Sequence, residues 1–172
     1  MGTGAWLLRH DAVKHAIVGI ANRAWAATGT EVDLTPDGNR RIDVVIKTTD
    51  CIYYVDVSVV HTNAPSNRGF SPDDCIKQRE DRKRRHYEGC LAGQRGTKLV
   101  PFVLSTYGQL SPAASTLLQD LAKRVTSIDT DVDYDELLTR FHSRVGVALQ
   151  RGNLAVVETI AKDPRFPTPL AS

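Results

Sequence analysis

The sequence predicts an α/β fold in which helices flank a mixed central sheet, forming three layers. Three observations predict it: a helical segment at the start, three strand-like runs in succession, and a fourth strand-like run that follows a charged helical segment. The predicted order of elements is α-β-β-β-α-β-α-α. The 172 residues, 41% of them hydrophobic, fit a single domain over 1–172, with 127–172 as a C-terminal helical extension.

The first part of the chain supplies one helix and three strands. Residues 5–27 place apolar side chains at helical spacing, with Trp6 and Trp25 assigned to the core, and Gly29 follows as a stop signal. Three runs rich in β-branched and aromatic residues come next, separated by turn residues, and they predict an antiparallel meander. These strands are 30–34, 41–47 and 52–60.

A loop rich in Asn, Ser, Pro and Gly separates the meander from the second helix, and loops of this kind often lie over a site. Ser71 is expected to cap this helix, with Pro72 at its first position and Gly93 at its end. The next strand is mostly apolar and is expected to be buried on both faces, while Pro101 favours an edge position or a bulge. The chain is expected to end in helices that break near Gly152. The strand and these helices are 97–106, 111–126 and 133–161.

Composition excludes several classes of protein. No run of 18 or more apolar residues occurs, and charge appears too early for a signal peptide, so we expect an intracellular protein that does not contact a membrane. The spacing of Cys51, Cys75 and Cys90 matches no zinc pattern, and a Gly-x-Ser-x-Gly motif is absent. The net charge of +2 does not by itself indicate a nucleic-acid partner, so any electrostatic role depends on where the charges lie.

Two aspartates are expected to lie opposite each other on the second and third strands. If the hairpin is symmetric about a turn at Thr49 and Asp50, Asp43 pairs directly with Asp56, with β-carbons ~4.5–5.5 Å apart. Like charges at that distance repel unless a cation lies between them, and Mg²⁺ is a cation that carboxylates hold. The alternative is that one face of the hairpin is simply solvated.

The second helix is locally basic, with six cationic against three acidic side chains between Lys77 and Glu88. Lys83 and Tyr87 are four residues apart and share one helical face. A lysine near a metal site would stabilise charge on a phosphate, while flanking arginines hold neighbouring phosphates. The alternative is a surface helix whose charges pair with one another at i,i+4.

The order of these motifs resembles that of the restriction-like (PD-(D/E)XK type) endonuclease domain of site-specific non-LTR retrotransposons. That family has an Arg-His pair in its first helix, a Pro-Asp strand, an Asp-x-Thr/Ser-Val strand, a helix with Lys-x-x-x-Tyr, and a Pro-containing strand ending in Thr-x-Gly. The similar segments here are Arg9-His10-Asp11, Asp43 in RRIDVVI, Asp56-Val57-Ser58-Val59, Lys83 through Tyr87, Pro101 through Gly108, and the tail 148–157.

The resemblance implies a set of site residues and two departures. Asp43, Asp56 and the Val57 carbonyl would hold Mg²⁺, for which Mn²⁺ substitutes. Ile42 replaces the proline of the Pro-Asp signature, and Ser58 occupies the usual place of the catalytic lysine. Lys83 would supply that lysine from the helix, with Lys77 as the fallback and Tyr87 as the group that orients lysine or phosphate. The expected DNA-binding residues are Arg79, Arg82, Arg84 and Lys77, and the further site candidates are His10, Asp11, Ser58 and His61.

The function that the resemblance implies is metal-dependent nicking of target DNA, which primes reverse transcription of the retrotransposon. The partners would be DNA and the reverse transcriptase and DNA-binding modules of one polyprotein, in the nucleus. Two alternatives remain: a catalytically inactive relative that binds nucleic acid, and a junction-resolving nuclease of the same fold.

Overall fold

A computed structural model describes residues 4–91 and 94–162, which form a four-stranded mixed sheet between helices. The elements follow the predicted order, with one 3-10 turn at Pro65–Asn67. In chain order they are α1 (Ala5–Arg23), β1 (Ala27–Asp33), β2 (Arg41–Lys47), β3 (Ile52–Val60), α2 (Pro72–Leu91), β4 (Thr97–Ser105), α3 (Pro112–Ile128) and α4 (Tyr134–Ala161).

The sheet has the strand order β1-β2-β3-β4. The first three strands form the predicted antiparallel meander, and β4 pairs in parallel with β3 from Ile52–Thr97 to Val60–Ser105. Because β4 is an edge strand, Pro101 removes no hydrogen bond to a further strand, which confirms the edge position that this proline favours. The connection between the parallel strands is α2, as βαβ units require.

Helices cover both faces of the sheet, so the predicted three layers are present. Alternate residues of β3 and β4 enter a core shared with α1, α3 and α4, while the other face packs on α2. The first face includes Tyr53, Val55, Val57, Val100, Phe102 and Leu104. The second contacts Cys75, Ile76 and Tyr87 of α2.

The ends of α1 and α2 follow from local geometry. The prediction that α1 reaches residue 27 is wrong, because Trp25 has a φ of 52° in the left-handed region and β1 begins at Ala27. The predicted cap of α2 is present: the Ser71 hydroxyl accepts a hydrogen bond from the Asp74 amide at 3.1 Å. The predicted end of α2 at Gly93 lies outside the described residues.

The last helix, α4, is continuous from Tyr134 to Ala161, so the predicted break near Gly152 is wrong. A β-carbon at Gly152 would lie 2.5 Å from the Cα of Arg9, so this glycine allows the backbones of α4 and α1 to approach closely. α4 also contributes four side chains to the main core: Leu137, Phe141, Val145 and Leu149. Within the described ranges, none of the helices is both long enough and apolar enough to cross a membrane.

Candidate active site

Asp43 lies one residue beyond the point where the pairing of β2 with β3 stops. The β2–β3 ladder has the predicted register from Lys47–Ile52 to Val44–Val55, and it ends one step before Asp43 and Asp56. The β1–β2 ladder also omits Asp43, since Thr30 pairs with Val44 and Val32 with Ile42. The predicted direct pairing of the two aspartates is therefore absent, although the register that placed them together is correct.

The Asp43 carboxylate compensates for the missing backbone pairing. Its Oδ2 accepts a hydrogen bond from the Val57 amide at 2.6 Å, joining β2 to β3 through a side chain. The same oxygen lies 3.1 Å from His10 Nε2 of α1, and His10 Nδ1 lies 3.4 Å from Asp11 Oδ1. The hydrogen bond with Asp43 raises the pKa of His10, which favours the imidazolium at this position.

Asp56 is almost fully buried, at 3% exposure. Its Oδ2 lies 2.8 Å from Lys83 Nζ, and its Oδ1 lies 2.7 Å from the Tyr87 hydroxyl. Burial raises the pKa of Asp56 above its ordinary value, and the Lys83 ammonium only partly opposes this. The alternative of a solvated hairpin face is therefore wrong for Asp56.

Tyr87 connects the buried aspartate to the neighbouring strand. Its hydroxyl lies 2.6 Å from the Arg41 carbonyl and 2.7 Å from Asp56 Oδ1, and it has one proton to donate to either acceptor. Burial, with the nearby Asp56 carboxylate, raises the pKa of Tyr87, so the phenol stays neutral. Tyr87 thus fixes the orientation of Asp56 relative to β2.

In the part of the chain that the structure describes, the basic side chains of α2 form no ion pairs with acidic side chains of the same helix. The structure therefore does not support the alternative of a surface helix whose charges pair with one another. Lys83 instead contacts Asp56 on β3. Arg79, one turn earlier, lines the same cavity. Arg82, Arg84 and Lys77 are exposed and do not line it.

These groups surround a cavity of about 300 Å³. Two arginines, one lysine, one histidine and both aspartates contribute to its lining, so carboxylates lie beside groups that attract anions. Its lining comprises Trp6, Arg9, His10, Asp43, Asp56, Val57, Ser58, Val59, Arg79 and Lys83. Larger cavities lie elsewhere, but this one contains the buried Asp56–Lys83 pair and is therefore the candidate active site.

No protein-family model matches the chain, and no curated protein is similar to it. The assignment of this cavity therefore depends on its own chemistry.

The donor set fits a hard divalent cation. Asp56 Oδ2 is buried and accepts no hydrogen bond of good geometry from the described residues, although Lys83 lies beside it as an ion-pair partner. Mg²⁺ typically takes one or two carboxylates and completes its shell with waters and phosphate oxygens. Among residues 4–91 and 94–162, no group of three or more His, Cys, Asp or Glu side chains is arranged to hold a metal, so a bound ion would depend on the two aspartates together with waters and phosphate oxygens.

Two of the further site candidates lie in the cavity and two do not. His10 and Ser58 line it, whereas Asp11 forms an ion pair with Lys14 at 2.9 Å outside it. His61 is exposed, and its ring packs edge-on against that of Tyr107, at 6.3 Å between centroids.

Three residues of the cavity were not among the predicted site residues: Trp6, Arg9 and Val59. Trp6 is 63% exposed and lines the cavity, so its assignment to the core is wrong; Trp25, 51% exposed, is also outside the core. Trp6 lies in the first turn of α1, and Trp25 lies two residues beyond its last residue, Arg23. Arg9 lines the cavity as well, and its position next to His10 was the available signal.

Proposed function

We propose that this protein is a metal-dependent endonuclease that hydrolyses phosphodiester bonds of DNA. The observation that carries the proposal is the buried Asp56, which lies between Lys83 and Tyr87 and shares a cavity with Asp43. A buried carboxylate with a raised pKa costs folding free energy, and residues of that kind concentrate at functional sites. Its surroundings match phosphoryl chemistry, because carboxylates for a cation lie next to cations for a phosphate.

Each side chain has a role that follows from its place. Asp43, Asp56 and the Val57 carbonyl would hold Mg²⁺ or Mn²⁺, and a bound ion would supply Lewis-acid stabilisation of the phosphate and a nucleophile at neutral pH. Lys83 neutralises Asp56 in the absence of metal and faces the negative charge of the phosphodiester when DNA enters. Tyr87 holds the Asp56 carboxylate, and Arg79 holds a phosphate oxygen at the cavity wall.

The test is nicking of supercoiled plasmid with Mg²⁺ or Mn²⁺. Asp43→Asn and Asp56→Asn each keep an oxygen that accepts a hydrogen bond, so the contacts to the Val57 amide and to Tyr87 persist while the charge is lost. Either variant should nick at least ~100-fold more slowly than the wild type, and chelation with EDTA should abolish nicking. Wild-type nicking that EDTA does not affect would exclude the proposal.

We further propose that the fold is restriction-endonuclease-like and that the protein nicks target DNA to prime reverse transcription. In this proposal the chain acts in the nucleus, as part of a retrotransposon polyprotein that also contains polymerase and DNA-binding modules. The support is the order of motifs: Arg9-His10, Asp43, Asp56, Lys83 and Tyr87 occur in the sequence of elements that this domain has. Joint expression with such a polymerase module should yield first-strand synthesis from the nick. Synthesis that proceeds equally with Asp56→Asn would contradict this role.

A catalytically inactive nucleic-acid binder is the alternative with a specific observation in its favour, because Ser58 stands where the usual lysine would follow Asp56 by two residues. Such a protein would bind DNA with steep salt dependence and would leave plasmid intact with either metal.

A further inference from the structure

Arg9 of α1 is a cation in the cavity that forms no ion pair with a carboxylate of residues 4–91 or 94–162. Its Nη1 donates a hydrogen bond to Asn153 Oδ1 of α4 at 3.3 Å, which is a neutral acceptor. Its Nε is buried and has no hydrogen-bond partner among the described residues. Burial lowers the pKa of Arg9.

The hydrogen bond to Asn153 does not satisfy all the donors of the Arg9 side chain. The Arg9 residue is only partly buried, but its Nε is fully buried, and an unpaired buried donor is destabilising. Arg9 lines the same cavity as Asp43, Asp56 and Lys83, so a ligand in the cavity can reach this side chain. The partner that would satisfy it is an anionic ligand with more than one oxygen, because guanidinium binds such groups through a fork of N–H donors.

The position of Arg9 is fixed from α4. Asn153 Nδ2 donates to the Thr106 carbonyl at 2.9 Å, which holds the Asn153 side chain with its oxygen toward Arg9. The adjacent Gly152 permits this contact, since a β-carbon there would lie 2.5 Å from the Arg9 Cα. Hydrogen bonds therefore connect Thr106, which follows β4, to Arg9 through Asn153 of the last helix.

Building on the proposed nuclease function, we propose that Arg9 binds a non-bridging phosphate oxygen of the DNA strand in the cavity, and that Asn153 is the residue that positions it. Arg9, Arg79 and Lys83, which all line the cavity, then contact the phosphodiester from α1 and α2. This assigns a substrate contact to the first helix and a positioning role to the last.

The experiment measures binding and nicking separately. Binding of a fluorescent 20-base-pair duplex is followed in EDTA over a salt series, and plasmid nicking is followed with Mg²⁺. Arg9→Gln should weaken duplex binding about five- to tenfold at moderate salt and lower the slope of log affinity against log salt by about one. Arg9→Lys, which keeps the charge without the fork, should bind nearly as tightly yet nick at least ~10-fold more slowly.

The matched control is Arg140→Gln on α4, which removes the same charge from a side chain that is 72% exposed and away from the cavity. It should change binding less than twofold. Asn153→Leu should reproduce the weaker binding of Arg9→Gln, and it should add nothing in the Arg9→Gln background, since a positioning residue acts through its partner. Melting temperatures of all variants establish that they fold.

The outcomes are distinguishable from failure of the proposed function. If the wild type binds duplex and does not nick, the nuclease proposal fails, while the binding data still test Arg9. If folded Arg9→Gln and Arg9→Lys both bind and nick like the wild type, the proposal for Arg9 is overturned. If Asn153→Leu weakens binding further in the Arg9→Gln background, Asn153 does not act through Arg9.

Discussion

At the scale of single residues, the fold buries the Asp56 carboxylate, and burial disfavours its charged form. Since burial raises its pKa, the folded state holds the proton more tightly than the unfolded state does. Ionisation of Asp56 therefore lowers the free energy of unfolding. This loss is absent below the pKa of an unfolded aspartate, ~3.9, and it grows as the pH rises above that value.

Replacing Asp56 by asparagine should make this cost visible. In EDTA, the free energy of unfolding of the wild type relative to Asp56→Asn should fall as the pH is raised from 4 to 7. Urea unfolding at each pH measures it. Asp50→Asn is the control, because the Asp50 side chain is 88% exposed. A relative stability of the wild type that rises over this range would mean that Lys83 and Tyr87 outweigh burial in setting the pKa of Asp56.

At the scale of elements, the contact between α1 and α4 depends on a glycine inside a helix. Gly152→Ala should destabilise the protein by ~2 kcal/mol or more, because the new β-carbon would meet the Arg9 backbone at 2.5 Å and the helices would have to separate. At Gly146, on the same helix, an added β-carbon would have no neighbouring atom of the described residues within 4 Å. Gly146→Ala should therefore stabilise by up to ~1 kcal/mol through helix propensity alone.

Chemical denaturation of both alanine variants distinguishes packing from propensity. Equal stabilisation by the two substitutions would show that α4 does not press against Arg9 at Gly152.

The same contact shows how far the sequence predicts the fold. The strand-like runs 41–47 and 52–60 predicted two strands of the meander, and the assumption of a hairpin symmetric about Thr49 and Asp50 predicted their register. The continuity of α4 was not predictable, since a glycine that breaks a helix and one that allows close packing look alike in one sequence. The left-handed Trp25 that ends α1 carries no sequence signal either.

The candidate site was predicted in composition and not in geometry. Asp43, Asp56, Lys83 and Tyr87 were singled out, and the structure brings them together. The aspartates were expected to pair across the ladder, but Asp43 instead caps the Val57 amide where the ladder ends. The Asp43 side chain takes the place of a backbone hydrogen bond because β2 and β3 stop pairing at this point. The sequence pattern of the two strands does not show where their pairing stops.

At the scale of the whole molecule, a cation bound at the site should stabilise the fold. A ligand that binds only the folded state at a hundredfold excess over its dissociation constant contributes ~2.7 kcal/mol, or about 5–10 °C in melting temperature for a domain of this size. Calorimetric melting with Mn²⁺ measures this shift. The shift should disappear in the double variant Asp43→Asn, Asp56→Asn. An equal shift in that variant would place the metal elsewhere.

The most direct test of the central claim compares two lysines of α2. Lys83 contacts Asp56 at 2.8 Å, whereas Lys77 is exposed and outside the cavity. With Mg²⁺, Lys83→Ala should nick supercoiled plasmid at least ~100-fold more slowly than the wild type, and Lys77→Ala should stay within about threefold of it. If Lys83→Ala nicks at the wild-type rate while remaining folded, the cavity around Asp43 and Asp56 is not the active site.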